Sequence, residues 1–246
     1  MLAVTSLGIG AAQAAIISVD LVQMGNNGHG NADITELAGV VEAGGWETAD
    51  RDGARNDTNL SALRADDGGT LVTTSATMTI GAGFAGYFTG ASGFNTGTAL
   101  FNNDMMDSYV ELGLDTGGTI SFTNLNASVG AVYDVYVYMN RNFGNTGTKS
   151  VTVGGTTKFI QGEDDTGPFS EANYATQAAA DANPTEGGNY ILFSGVSTDN
   201  LDIVFGHVGP NGRAGINGVQ IVGVPEPSSA ALLGLGGLAL IMRRRK

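Results

Sequence analysis

Few residues in this chain have the types or spacing that chemistry requires. Of 246 residues only two are histidine, and there is no cysteine. His29 and His207 lie far apart in sequence and lack metal-ligand spacing. A thiol nucleophile, a disulfide and a thiolate metal site are therefore excluded. No His-Glu-x-x-His, Gly-x-Ser-x-Gly or phosphate-loop pattern occurs. Carboxylates, by contrast, are abundant. Asp50, Asp52, Asn56 and Asp57 gather around Gly53. Oxygen ligands at such short spacing suit calcium, which makes Asp50, Asp52 and Asp57 the candidate ligands. The loop lacks the closing Glu of an EF-hand, and a solvated acidic turn explains the same residues. Glu163, Asp164 and Asp165 form a second, weaker cluster. Two carboxylates can also cleave a glycosidic bond. The acids are so many that no pair stands out, and no residue is assigned a catalytic role.

Aromatic rings offer a second kind of chemistry. Val132 to Met139 alternates strictly. Tyr133, Val135, Val137 and Met139 point one way, and Asp134, Tyr136, Tyr138 and Asn140 the other. Open rings at Tyr136 and Tyr138, with Asn140 and Arg141 just beyond, would stack on a sugar and hydrogen-bond its hydroxyls. Trp46 is the remaining large-ring candidate. The competing reading is that these tyrosines lie beneath a second layer or a loop.

The elements that must position these residues are short strands. Glycine is very abundant, at 39 residues, without a collagen period, so it marks turns. Ile16 to Val22 reads as the first strand. Leu60 and Leu63 suggest a short helix ended by Gly68-Gly69. Leu71 to Ile80 reads as one strand with Val72, Thr74, Ala76, Met78 and Ile80 on a face. Gly81 to Asn103 reads as a surface excursion whose aromatics, Phe84 among them, pack locally. Tyr109 to Leu114 and Thr119 to Asn124 flank a hairpin signal, Asp115 to Gly118. Lys149 to Val153 and Thr157 to Gln161 form another around Gly154-Gly155. Glu171 to Ala182 suggests a helical turn. Tyr190 to Phe193, Leu201 to Phe205 and Ala214 to Gly223 complete about ten strands, the pattern of an all-β sandwich.

The two ends read differently from this body. Met1 to Ala15 is apolar and small, with Ala12-Gln13-Ala14 as a small-x-small cleavage site. No positive segment precedes it. It is therefore either a partial signal peptide, residues 1–15, or a first strand, and the export-type tail favours the former. At the other end, Pro225 and Pro227 separate the body from an uncharged apolar run, Ala230 to Met242, followed by Arg243, Arg244, Arg245 and Lys246. A helix from Ser228 to Met242 would be about 22 Å long. That is short of the roughly 30 Å hydrocarbon core, but it spans if the terminal cations snorkel and the bilayer thins. The cations favour the cytoplasmic side, which leaves the body outside. Net charge is −13 overall; without the four tail cations and Glu226, residues 1–225 stand near −16. Such a body argues against nucleic acid and anionic membrane surfaces as partners.

The tail, with Pro225-Glu226-Pro227, a short Gly/Leu/Ala helix and a basic end in register, resembles the PEP-CTERM sorting signal of bacterial surface proteins. The resemblance implies a membrane protease of the exosortase type as partner, transient membrane insertion by the C-terminal helix, and removal of the tail. It also implies a place on the cell surface or outside the cell, in the company of exopolysaccharide. Within the body, "VYDVYVYMNRN", "NYILFSGVSTDNLDIVF" and "RAGINGVQIV" are similar to jelly-roll domains of the galactose-binding type, many of which bind carbohydrate. Together these readings give a partial signal peptide over 1–15, a β-sandwich over 16–223 and a sorting signal over 224–246. The expected protein is a non-enzymatic, exported component of the cell surface or extracellular matrix. The alternatives are a carbohydrate-binding module and, further off, a secreted glycan hydrolase.

Overall fold

The structure, a computed structural model, describes residues 14–22, 37–50, 58–85, 110–112, 117–139, 148–160, 171, 174–182, 188–208 and 214–225. In chain order the elements are β1 (Ala15–Val22), β2 (Glu47–Asp50), β3 (Asn59–Leu60), β4 (Arg64–Asp67), β5 (Thr70–Thr73), β6 (Thr77–Ile80), β7 (Phe84–Ala85), β8 (Val110–Leu112) and β9 (Gly118–Thr123). There follow α1 (Asn126–Val129), β10 (Tyr133–Tyr138), β11 (Thr148–Val153), β12 (Thr156–Ile160), α2 (Gln177–Ala182), β13 (Tyr190–Val196), β14 (Leu201–Val208), β15 (Ala214–Ile216) and β16 (Gly218–Gly223).

Two main sheets form the body. The first runs β13-β10-β16-β1-β4-β5, with β2 added in parallel to β1. The second runs β12-β11-β14-β9-β6-β3, and a small sheet, β15-β8-β7, stands beside them. Every ladder except β1 with β2 is antiparallel among the described strands. The inner faces share one apolar core. Ile17, Val19, Val135, Val137, Val219 and Ile221 of the first sheet belong to the same buried cluster as Met78, Ile120, Phe122, Val151, Ile203 and Phe205 of the second. Burying these branched side chains on both inner faces is the main driving force for the sandwich, at roughly 25 cal/mol per Å² of apolar surface.

Several sequence-based expectations change here. Leu71 to Ile80 is not one strand. Thr74 turns the chain: its hydroxyl donates to the Leu63 carbonyl at 2.7 Å and accepts from the Ala76 amide at 3.1 Å. Such local hydroxyl bonds compete with a continuing ladder. The chain thereby passes from β5 in the first sheet to β6 in the second, and Val72 is left exposed. The segment around Leu60 and Leu63 forms β3 and β4 rather than a helix, because its backbone pairs with β6, β5 and β1. The hairpin expected across Asp115 to Gly118 is absent among the described pairings. Instead β8 pairs with β7 and β15, while β9 pairs with β14 and β6. Phe84 is not a surface ring: it is 3% exposed and meets Phe205 edge-on at 5.8 Å. The Gly154-Gly155 hairpin forms as expected, joining β11 and β12.

Candidate functional site

The outer face of the first sheet carries the aromatic residues singled out from the sequence. Register places Tyr138 beside Gly218 and Tyr190, and Tyr136 beside Gln220 and Leu192. Ser18 lies on the far side of Gln220, and Asp20 on the far side of Gly218. The face is thus a short array of tyrosines on β10 and β13 that grades into buried polar groups on β16 and β1.

A strap over residues 37–46 crosses this array. Ala38 and Ala43 pair with each other across its turn, at 3.0 Å in both directions. Its apolar side chains face the sheet: Ala38 and Trp46 cluster with Tyr138, Tyr136 and Tyr190, while Ala43 and Val41 cluster with Ile16, Val222 and Tyr136. Several polar groups beneath the strap are hydrogen-bonded to it and to one another. The Tyr138 hydroxyl donates to Gln220 Oε1 at 2.5 Å and accepts from the Val40 amide at 2.8 Å. Gln220 Nε2 donates to Ser18 Oγ at 3.1 Å and to the Val41 carbonyl at 2.9 Å. The Asp66 carboxylate accepts from the Gly44 and Gly69 amides, at 2.8 and 2.6 Å. Buried polar groups carry a large penalty unless they are bonded in this way. Gly39, at φ +93°, lets the strap lie this close, because a Cβ there would overlap the Gln220 side-chain amide.

This corrects the expected sugar contacts. Trp46 is 3% exposed and Tyr138 is fully buried. Trp46 donates its Nε1–H to the Ala43 carbonyl at 3.1 Å and sits 6.1 Å from the Tyr138 ring. Neither ring is open to a ligand; both are the floor and wall of the strap. Tyr136 remains half-buried at the strap's edge, and Tyr190 stands 6.0 Å from it with the rings tilted by 40°. Glu171 pairs with Tyr190 through a parallel bridge, and Asp134 lies on the same face of β10 as Tyr136. Burial pushes both phenols up, helped by Asp134, Tyr190 and Glu171 for Tyr136 and by Glu171 for Tyr190. Both hydroxyls therefore stay protonated well above neutral pH and can donate.

Tyr190 and Glu171 were not singled out from the sequence. The alternation of Tyr190 and Leu192 in "NYILF" is the signal that places Tyr190 on this face. No local signal brings Glu171 to it. Asn140 and Arg141, which follow β10, lie outside the described residues, as do Asp52 and Asp57; β2 ends at Asp50.

The chain leaves the body at one corner of this sheet. All six residues of β16 are buried between β1 and β10. The next residue, Val224, donates its amide to the Val132 carbonyl at 2.9 Å and is exposed. Gly223 lies against the Val129 and Ala15 carbonyls, with no room for a Cβ. The tail therefore starts at Pro225, directly on a pinned central strand. The described residues contain no helix long and apolar enough to cross a membrane. The apolar run and Arg243 to Lys246 lie outside them.

An all-β body that ends in this way meets a recognised sorting signal. Residues 223–246 match the PEP-CTERM protein-sorting motif. The motif marks an exported protein sorted to the cell envelope and implies processing by an exosortase. No curated protein matches the chain. Two solved structures are similar. One is the CBM36-1 domain of a multidomain xylanase from the hindgut metagenome of Trinervitermes trinervoides, at 19% identity and a TM-score of 0.30, covering 60% of this chain and 98% of that one. The other is an exo-beta-1,3-galactanase from Phanerochaete chrysosporium, solved with galactose, at 15% identity and a TM-score of 0.31. It covers 65% of this chain, which spans only 33% of the galactanase.

Proposed function

We propose that this chain is a non-enzymatic component of the cell surface or extracellular matrix that associates with exopolysaccharide. In this reading residues 1–15 carry a signal-peptide segment whose last residue, Ala15, already pairs with Asp67 in β1, 16–223 form a jelly roll of the galactose-binding type, and 224–246 are a sorting signal that holds the protein in the membrane only until its tail is removed. The observation that carries this reading is the sorting motif joined directly to a folded, acidic β-body. Cell fractionation tests it. The protein is expected in the envelope or medium, co-isolating with the polysaccharide fraction. A cytoplasmic pool, or an envelope pool that does not change when polysaccharide is digested, contradicts it.

A second reading gives the body a specific glycan to recognise. It is favoured by the half-buried Tyr136 and Tyr190, two adjacent rings that carry neutral hydroxyls beside carboxylates. Aromatic faces stack on the apolar faces of sugars, and neighbouring acids accept from their hydroxyls. Trp46 and Tyr138 set the floor behind these rings rather than touching the ligand. Asn140 and Arg141, which follow β10 in sequence, stay candidate contacts in this reading. Glycan-array binding that disappears in the double variant Tyr136→Ala/Tyr190→Ala supports it. Binding that survives the double change, or no binding by the wild type, removes it.

A further inference from the structure

We infer that the free edge of β5 is an interaction surface for a second copy of this chain, paired antiparallel about a twofold axis through Leu71. The two edges of the sandwich differ. At one, the chain covers itself: Glu171 bridges to Tyr190 of β13, Tyr174 bridges to Phe159 of β12, and Lys158 donates its Nζ–H to the Leu192 carbonyl across the gap. At the other, the second sheet ends in the two-residue strand β3, and the first ends in β5, whose four residues are all exposed. Among the described residues β5 pairs only with β4. The turn Gly68-Gly69, with both φ positive, makes Asp67 and Thr70 the closing hydrogen-bonded pair. Pairing then alternates, so Leu71 and Thr73 turn their N–H and C=O groups outward. Natural edges are guarded by Lys, Pro or an inward charge, and β5, Thr-Leu-Val-Thr, has none of these. Leu71 is 44% and Val72 46% exposed, on opposite faces of the sheet. Leu37, 58% exposed, joins Leu71 over the neighbouring strap glycines Gly44 and Gly45. Outward backbone groups flanked by aliphatic side chains fit another strand. A second copy meets this edge without conflict. A twofold axis perpendicular to the sheet sets Leu71 opposite its own counterpart, Val72 opposite Thr70, and Thr73 opposite Gly69. Although residues 1–225 stand near −16, no like charges then face each other directly. Arg64, Asp66 and Asp67 of β4 stay three strand spacings, about 14 Å, from the β4 of the other copy. That is beyond the screening length of about 10 Å in 0.1 M salt.

A four-residue edge buries far less than the roughly 1,600 Å² of a standard interface, so the pairing is weak and is best captured covalently. The chain has no cysteine, so a single introduced thiol reports on a single position. Leu71→Cys, Thr73→Cys and Val204→Cys are made in the full-length protein, purified in detergent and oxidised mildly. Val204, 44% exposed on the outer face of β14, matches Leu71 in accessibility, and Thr73 lies on the same edge. Across the twofold axis, the two residues 71 stand about 5.5 Å apart at Cα, within disulfide range. The two residues 73 stand about 14 Å apart, outside it. Leu71→Cys is expected to form a disulfide-linked dimer about tenfold or more faster than either control, because alignment replaces random collision. Equal or faster dimer formation at Thr73 or Val204 would overturn the inference. So would oxidation of whole cells in which Leu71→Cys links to a different protein, which assigns the edge to a foreign strand.

Discussion

On the inner face of β10, Tyr133, Val135 and Val137 join an apolar core shared by both sheets. On its outer face, Tyr136 and Tyr138 meet a polar row, Gln220 and Ser18, sealed by the strap over residues 37–46. The same six-residue strand thus faces two kinds of interior. The inner one depends on volume and tolerates little loss of it. The outer one depends on a chain of hydrogen bonds that runs Val40 to Tyr138 to Gln220 to Ser18. Burial against packed strands needs only shape. Burial beneath an irregular strap also needs partners for the strap's own backbone, and Tyr138 and Gln220 provide them. Beside the strap, Tyr136 and Tyr190 are half-buried rather than sealed.

Four substitutions or conditions would break or sharpen that contrast. Ile221→Ala, on the inner face opposite Ile17 and Val135, should cost the most, about 2–5 kcal/mol by denaturant unfolding. Gly39→Val should cost about 1–3 kcal/mol and act on the strap alone, since the new side chain meets Gln220 and the positive φ is strained. Enhanced proteolysis confined to the segment around Val40 would show that locality. Tyr138→Phe should cost about 1–2 kcal/mol, because the Val40 amide and Gln220 Oε1 each lose a partner while ring packing is kept. Tyr190→Ala should cost less than Ile221→Ala, about 0.5–1.5 kcal/mol, since only a half-buried ring loses its contacts with Tyr136 and Tyr138. If Tyr190→Ala proves as damaging as Ile221→Ala, the distinction between a structural face and a half-buried margin is wrong.

Alkaline pH probes the outer face without mutation. Burial holds the Tyr138 phenol far above its ordinary value of 10.0. The unfolded chain loses that proton near pH 10 while the folded protein keeps it. Stability attributable to Tyr138 is therefore complete below pH 10 and declines as pH rises above it. Tyr138→Phe is expected to flatten this decline in a pH series of melting temperatures. An unchanged decline would mean that other tyrosines carry it.

How much of this was legible in the sequence depends on range. The alternation of Tyr133 to Tyr138 is a local, period-two signal, and the structure follows it residue by residue. The hairpin at Gly154-Gly155 was equally local. The strap was not legible, because Ala38, Val40, Val41 and Ala43 show no periodicity and their partners lie far away. Val40 bonds to a hydroxyl 98 positions along the chain, and Gln220 to one 202 positions back. That distance is why Trp46 and Tyr138 read as open rings when they are buried. The break at Thr74 was hidden for a different reason. Its hydroxyl redirects the chain, yet threonine is also a favoured strand residue, so the pattern alone suggests continuity. The tail was legible in full as a pattern, since a charge-free run between prolines and arginines has few other uses.

The most direct measurement is the intact mass of the native protein isolated from its own cells, with and without the sorting enzyme. With the enzyme present, the mature species is expected to lack Arg243 to Lys246 and the apolar run, leaving the acidic body; without it, the tail should remain. A native species that carries Arg243 to Lys246 in the presence of the enzyme would contradict a body sorted and released through its C-terminal tag.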